Sequence, residues 1–176
     1  IFFPYFPNFV SSAEDFIESY NYWSGAIVLT SDTSSGSLIN NGPLWKYKLN
    51  EFDNNHLLDG LTQLVRSYYL AGAEEIMVSA SPTMHWKRNQ NGDIEEFLSK
   101  ILAIKNQPYR LLLGSAHQMG TARINPNPEH GVIDLNGKVH GLENVYIVDA
   151  STFPRCSGVN PMISIQSMSH FLMSKI

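Results

Sequence analysis

The sequence predicts an α+β fold, an antiparallel sheet flanked by helices, and three observations carry that prediction. Short β-branched runs bounded by Gly, Asn, Ser and Pro crowd the first fifty residues. Two stretches with apolar residues at helical spacing follow. The two signals do not alternate strictly, as the crossovers of a parallel sheet would require. A chain of 176 residues is long enough for one domain with its own core, spanning residues 1–176.

The elements follow in order. Residues 1–22 are rich in Phe, Tyr and Asn without a clean period and read as a loop with a short helix over Ala13–Tyr20. AIVLT, from Ala26 to Thr30, is a compact strand signal. The turn residues SDTSSGS separate it from a second run at Ser37–Ile39. Asn40-Asn41-Gly42-Pro43 turns the chain into LWKYKL, which alternates like a half-buried strand. Asp53 is placed to cap a helix from His56 to Leu70, with Leu57, Leu61, Leu64, Val65 and Tyr68 at helical spacing. Ala71-Gly72-Ala73 stops it, and Glu74–Ala80 reads as a strand. Residues 81–91, with His85 and Trp86, read as a polar loop. A second helix fits Asp93–Ile104 with Phe97, Ile101 and Ile104 on one face, and Leu111–Leu113 reads as a strand.

Composition excludes several classes. The formal charge is −4 and lysines and arginines never cluster, so nucleic acid is not an expected partner. Cys156 is the only cysteine, which rules out an internal disulfide and a cysteine-based metal site. No run approaches the roughly 20 apolar residues of a spanning helix, so no transmembrane segment is expected in this chain. The opening IFFPYFPNFV is apolar, but Pro4 and Pro7 interrupt it and no basic leader precedes it. It reads as the interior of a longer protein rather than as a signal peptide.

Chemistry concentrates in the last third, Gly114–Ile176. GSAHQMGTAR places His117 just before a glycine turn at Gly120, and histidine is the commonest general base near neutral pH. His117, His130 and His140 lack the spacing of a zinc triad, so no metal is expected. VYIVDAS reads as a strand ending at Asp149-Ala150-Ser151. Asn160-Pro161 opens a helix, since proline suits a first turn, and Asn160 falls near the cap. Met162, Ile165, Met168, Leu172 and Ile176 form an apolar stripe behind it, while Ser164, Ser167 and Ser169 are small enough for close packing. Lys175 falls at the end favoured by the helix dipole. A helix start of this kind presents free N–H groups to an anionic or electron-rich ligand.

Together HQMGTAR, VIDLNGKVHGLENVYIVDASTFP and SGVNPMISIQSM resemble the C-terminal signature of the glucose–methanol–choline (GMC) flavin oxidoreductases, and look most like its long-chain alcohol oxidase branch. The resemblance extends less distinctively from about Gly36 onward. It implies the substrate-binding domain of that family, with residues 144–176 supplying a flavin-facing strand and helix, and the last helix packing on an FAD-binding domain largely outside this chain. It implies FAD as cofactor and a small-molecule alcohol as substrate. His117 would be the base, Asn160 would hold the substrate oxygen, and Asp149, Ala150, Asn160, Pro161 and Met162 would contact the cofactor. A hydride would pass from the carbinol carbon to flavin N5 and leave an aldehyde. The alternatives are a flavin-dependent hydroxynitrile lyase using the same histidine, or a non-catalytic fragment that has lost FAD. Ala122 and Ile124 stand where the family has Cys and Met and read as packing positions. No G-x-G-x-x-G run occurs in the chain, so a missing N-terminal region, or a complementary chain, would supply the rest of the FAD site.

Overall fold

A computed structural model describes residues 17–39, 45–105, 107 and 110–176. The described residues form two compact units, Ile1–Leu113 and Gly114–Ile176, and the second begins where the chemistry-bearing block of the sequence begins. Small antiparallel strand pairs with helices make the fold α+β. Among the described residues no helix is long and apolar enough to cross a membrane.

The first unit holds β1 (Ser37–Leu38), β2 (Trp45–Lys46), α1 (Glu51–Leu70), β3 (Glu75–Val78), β4 (Met84–Lys87) and α2 (Ile94–Leu102). Residues 17–19 are helical and run into a 3-10 turn at Tyr20–Tyr22, so the expected Ala13–Tyr20 helix lies partly outside the described residues. The strand expected at Ala26–Thr30 does not form. A strand needs a partner to satisfy its amides, and here the run lies against α1 instead, with Val28 so close to Gly60 that a Cβ there would be 2.6 Å from Val28 Cγ1. β1 and β2 pair antiparallel, Ser37 opposite Lys46, and are shorter than the sequence suggests. The turn expected over 40–43 lies outside the described residues.

Helix α1 begins earlier than expected, and Asp53 is not its cap. Asn50 is: its side chain accepts the Asp53 amide at 2.8 Å. The inward face is shifted from the expected row: Val65 is buried as expected and Leu61 and Tyr68 pack half-buried against the core, but Leu58 and Thr62 are buried where Leu57 and Leu64 are only half-buried. Asp53 is fully buried and serves the preceding loop. Its carboxylate accepts the Thr33 amide at 3.0 Å from each oxygen, and the Ser34 amide and hydroxyl at 3.0 and 2.6 Å. Burial works to raise the Asp53 pKa, but these donors outweigh it and hold the carboxyl below the ordinary Asp value.

The polar loop expected over 81–91 is instead the second strand of a hairpin, β4, which pairs Trp86 with Ile76 of β3. Trp86 is among the most buried side chains and packs edge-on to Tyr69 at 5.5 Å between ring centres. Arg88 closes the end of α1, donating to the Tyr69 carbonyl at 2.7 Å and the Ala73 carbonyl at 3.1 Å while covering the Tyr69 ring. Helix α2 forms as expected, capped by Asp93, and buries Phe97 and Ile101 with Ile94 and Leu98. Leu111–Leu113 is reduced to one bridge, Leu111 to Ala80. Leu58, Val65, Ile76, Val78, Trp86, Phe97 and Ile101 are the centre of this unit's core.

The second unit is built from turns and single bridges, plus one helix, α3 (Met162–Met173). Its centre is Ile133, fully buried, which bridges both Ile124 and Val139. The strand expected to end at Asp149 is not formed; Tyr146 makes one bridge to Lys138, and the chain passes into a 3-10 turn at Ala150–Thr152. Two backbone bonds tie this segment to the 137–139 run, from the Val139 amide to the Val145 carbonyl and from the Ile147 amide to the Gly137 carbonyl, too few for a ladder that would propagate a strand.

Candidate active site

Every site residue read from the sequence falls in the second unit, and the Ala150–Thr152 turn ties the motifs together. Asp149 initiates this turn: its Oδ1 accepts the Ser151 amide at 2.8 Å and the Ser151 hydroxyl at 2.5 Å. Those two donors from Ser151 hold the Asp149 carboxyl below its ordinary pKa. Thr152 is buried, its hydroxyl donating to the Asp149 carbonyl at 2.8 Å.

The segment after His117 docks on this turn through its backbone. The Ala122 amide donates to the Ser151 carbonyl at 2.9 Å and the Ile124 amide to the Thr152 carbonyl at 3.0 Å. Gly120 turns the chain at φ +85°, where a Cβ would also lie 3.4 Å from the Phe153 carbonyl oxygen. Ala122 is buried and Ile124 half-buried, so the two departures from the family pattern sit where the fold uses the amide and the volume. His117 itself lies in an irregular, exposed stretch, and among the described residues its imidazole makes no hydrogen bond. The contrast with His140 is direct, because that ring is tied to the Asn125 carbonyl at 2.9 Å. His85 is likewise engaged, with Glu75 at 2.9 Å.

Helix α3 sits beside the same turn. Its Ser169 hydroxyl donates to the Val148 carbonyl, one residue before Asp149. Its only buried residue, Leu172, packs against Gly137, where a Cβ would lie 3.5 Å from Leu172 Cδ1. The Gly137 carbonyl in turn accepts the Ile147 amide at 3.0 Å. Of the apolar stripe read from the sequence, Ile165 and Met168 are half-buried, while Met162 and Ile176 are exposed. Lys175 lies beyond the helix end and covers the Phe171 ring at 4.5 Å.

The start of α3 differs in detail from expectation. Pro161, buried, is the N-cap, and Asn160 makes no capping bond. Among the described residues no side chain caps the first turn by a hydrogen bond, so the amides of Met162, Ile163 and Ser164 have neither a capping nor an intrahelical acceptor there. Beside them stand exposed apolar side chains, Val159, Met162 and Ile163, and the exposed carboxamide of Asn160. Open donors bordered by apolar surface fit the electron-rich edge of a flat, largely apolar ring such as a flavin. The residues present fit one end of such a cofactor, and the Ser151, Thr152 and Ser169 bonds are the part of this arrangement that residue types alone did not single out.

The family model described as GMC oxidoreductase matches residues 25–169. Two long-chain-alcohol oxidases of Arabidopsis thaliana are 31% and 32% identical to this chain, each over 89% of it and 22% of the relative. A 6'''-hydroxyparomomycin C oxidase of Streptomyces lividus is 46% identical over 31% of this chain and 10% of its own length. The chain thus spans about a fifth of the length of the first two relatives, 22% in each case.

Proposed function

This chain belongs to the GMC oxidoreductases, and from that premise we propose that it is the C-terminal, substrate-binding part of an FAD-dependent oxidoreductase acting on a primary alcohol. Long-chain alcohols are the favoured substrates, in keeping with the names of the two Arabidopsis relatives. The observation that carries this reading is the gathering of the three sequence motifs on one turn, through Ala122–Ser151, Ile124–Thr152 and Ser169–Val148.

In this mechanism His117 is the general base. An imidazole nitrogen takes the proton of the substrate hydroxyl, and the free, exposed ring leaves that nitrogen available. Asn160 holds the same oxygen by donating a carboxamide N–H, which stabilises the alkoxide character that makes hydride loss easy. FAD, when bound, supplies the hydride acceptor. Asp149, Ala150, Asn160, Pro161 and Met162 would hold its ring end, and the open amides of the first turn of α3 favour negative charge there. The remainder of the FAD site is assigned to an N-terminal region, or a second chain, outside these residues. The exposed apolar side chains of α3 are assigned to packing against that region, including Ile163, Phe171 and Met173.

Anaerobic addition of a long-chain primary alcohol to the FAD-loaded full-length protein tests the reading. Bleaching of the flavin with aldehyde formation is the expected result. A flavin that stays yellow while a cyanohydrin is cleaved would replace the oxidase by a lyase, and a full-length protein that never retains FAD would end the redox reading altogether.

A further inference from the structure

The helix that carries Asn160, Pro161 and Met162 at its start is held to the rest of its unit by few groups. Of its twelve residues only Leu172 is buried, and large apolar side chains at both ends stand exposed. Two anchors lie three residues apart on one face: Leu172 against Gly137, and the Ser169 hydroxyl on the Val148 carbonyl. Val148 directly precedes Asp149 and Ala150. The Ser169 bond is therefore a direct polar link between the cofactor-side turn and the helix that presents Asn160.

We infer that Ser169 is a positioning residue, which sets the placement of the start of α3 relative to the Asp149–Ala150 turn. This deepens the alcohol-oxidoreductase reading and rests on it for its catalytic consequence, though the positioning itself does not. The geometry is that of a lever. Ser169 lies seven residues from Met162, roughly 10 Å along the axis at 1.5 Å per residue. A small tilt about the Leu172 contact then displaces the helix start by a comparable or larger amount. Reactions that depend on the alignment of two groups lose on the order of 100-fold for displacements near 1 Å. The side chain has to be small and a donor: an alanine leaves the half-buried Val148 carbonyl without its partner, and a threonine restores it. Ser174, the C-cap just past the helix, donates instead to the Phe171 carbonyl at 2.8 Å.

The test uses the full-length protein loaded with FAD. Ser169→Ala should keep the flavin, speed amide hydrogen exchange over residues 165–169 several-fold, and slow anaerobic flavin reduction by alcohol about tenfold or more with little change in alcohol affinity. Ser169→Thr should restore both the exchange protection and the rate. Ile133→Val, in the buried centre of the same unit, should lower thermal stability while leaving the exchange of residues 165–169 and the reduction rate near wild type. Should Ser169→Ala fail to fold, Ser169→Cys, a weaker donor of similar volume, carries the same expectation. Wild-type exchange over 165–169 in Ser169→Ala overturns the inference whether or not alcohol is the substrate, as does an equal loss of rate in Ile133→Val. A wild-type flavin that no alcohol bleaches would end the functional reading but leave the exchange comparison intact.

Discussion

His117 is exposed and makes no hydrogen bond among the described residues, which suits a base whose partner arrives with the substrate. Replacing it by alanine in the full-length protein should lower alcohol turnover by roughly 10²–10⁴-fold while FAD stays bound, as steady-state rates and the flavin spectrum would report. Wild-type turnover in that variant would remove the base assignment. Asn160→Ala should slow flavin reduction by about 10²-fold, the usual cost of losing one donor to a developing oxyanion, and should spare flavin binding. Loss of the flavin would recast Asn160 as a cofactor anchor. Asp53 offers a third residue-scale test, remote from the chemistry. Its folded pKa lies below the unfolded one, so its contribution to stability is present above about pH 4 and is lost as pH falls through the folded value. Asp53→Ala, which removes the charged acceptor of the Thr33 and Ser34 amides and hydroxyls, should cost roughly 1–3 kcal/mol at neutral pH, and its stability should depend less steeply on acid than wild type. The roles proposed for His117 and Asn160 come from the resemblance of the motifs that carry them, since a histidine before a glycine turn and an Asn-Pro helix start are by themselves common structural features. The role of Asp53 was legible only as a helix signal, because its partners lie about twenty residues upstream and no local pattern marks them.

At the scale of elements, the periodic helix signals held, while the short strand signals held only where a partner edge exists, as at Ser37–Leu38, Trp45–Lys46 and Glu75–Val78. Helices α1 and α2 formed because caps and apolar spacing agree locally. Strand β4 was hidden because MHWK offers four residues with polar neighbours, and only its pairing with β3 makes Trp86 a core residue. The reverse error, a strand at 26–30, came from β-branched composition without a partner edge. That misplaced run generates a prediction with a definite sign. Gly→Ala inside a helix normally gains up to about 1 kcal/mol. Gly60→Ala should not, because Val28 Cγ1 stands 2.6 Å from the new Cβ. Gly60→Ala with Val28→Ala should recover the gain, so denaturant melts of the two singles and the double should be non-additive. Additivity would mean that Val28 does not lie on α1.

For the whole molecule, the large feature is how much apolar surface the second unit leaves open along its one helix. Phe171 and Met173 are more than half exposed, at 52% and 56%, which a self-contained unit has little reason to maintain. Replacing both by serine should make the isolated chain bind less hydrophobic dye. In the full-length protein it should cost roughly 1–3 kcal/mol per side chain if α3 packs against the FAD-binding region. Unchanged stability and flavin retention would remove that docking assignment. The sequence revealed this helix and its stripe but not which face stays bare, since periodicity marks apolar positions without saying what covers them. The dependence of the 120–124 run on Ser151 and Thr152 also has a temporal side. Ribosomes deliver the chain from its N-terminus, and the amides of Ala122 and Ile124 acquire their acceptors only after residue 152 has been made. The stretch bearing His117 therefore waits for some thirty further residues before its conformation can be fixed, a closure whose entropy cost grows only slowly with that length. A ribosome that stops short of residue 151 releases a histidine with no scaffold, so any chemistry at this site is withheld until residues 151 and 152 have been made.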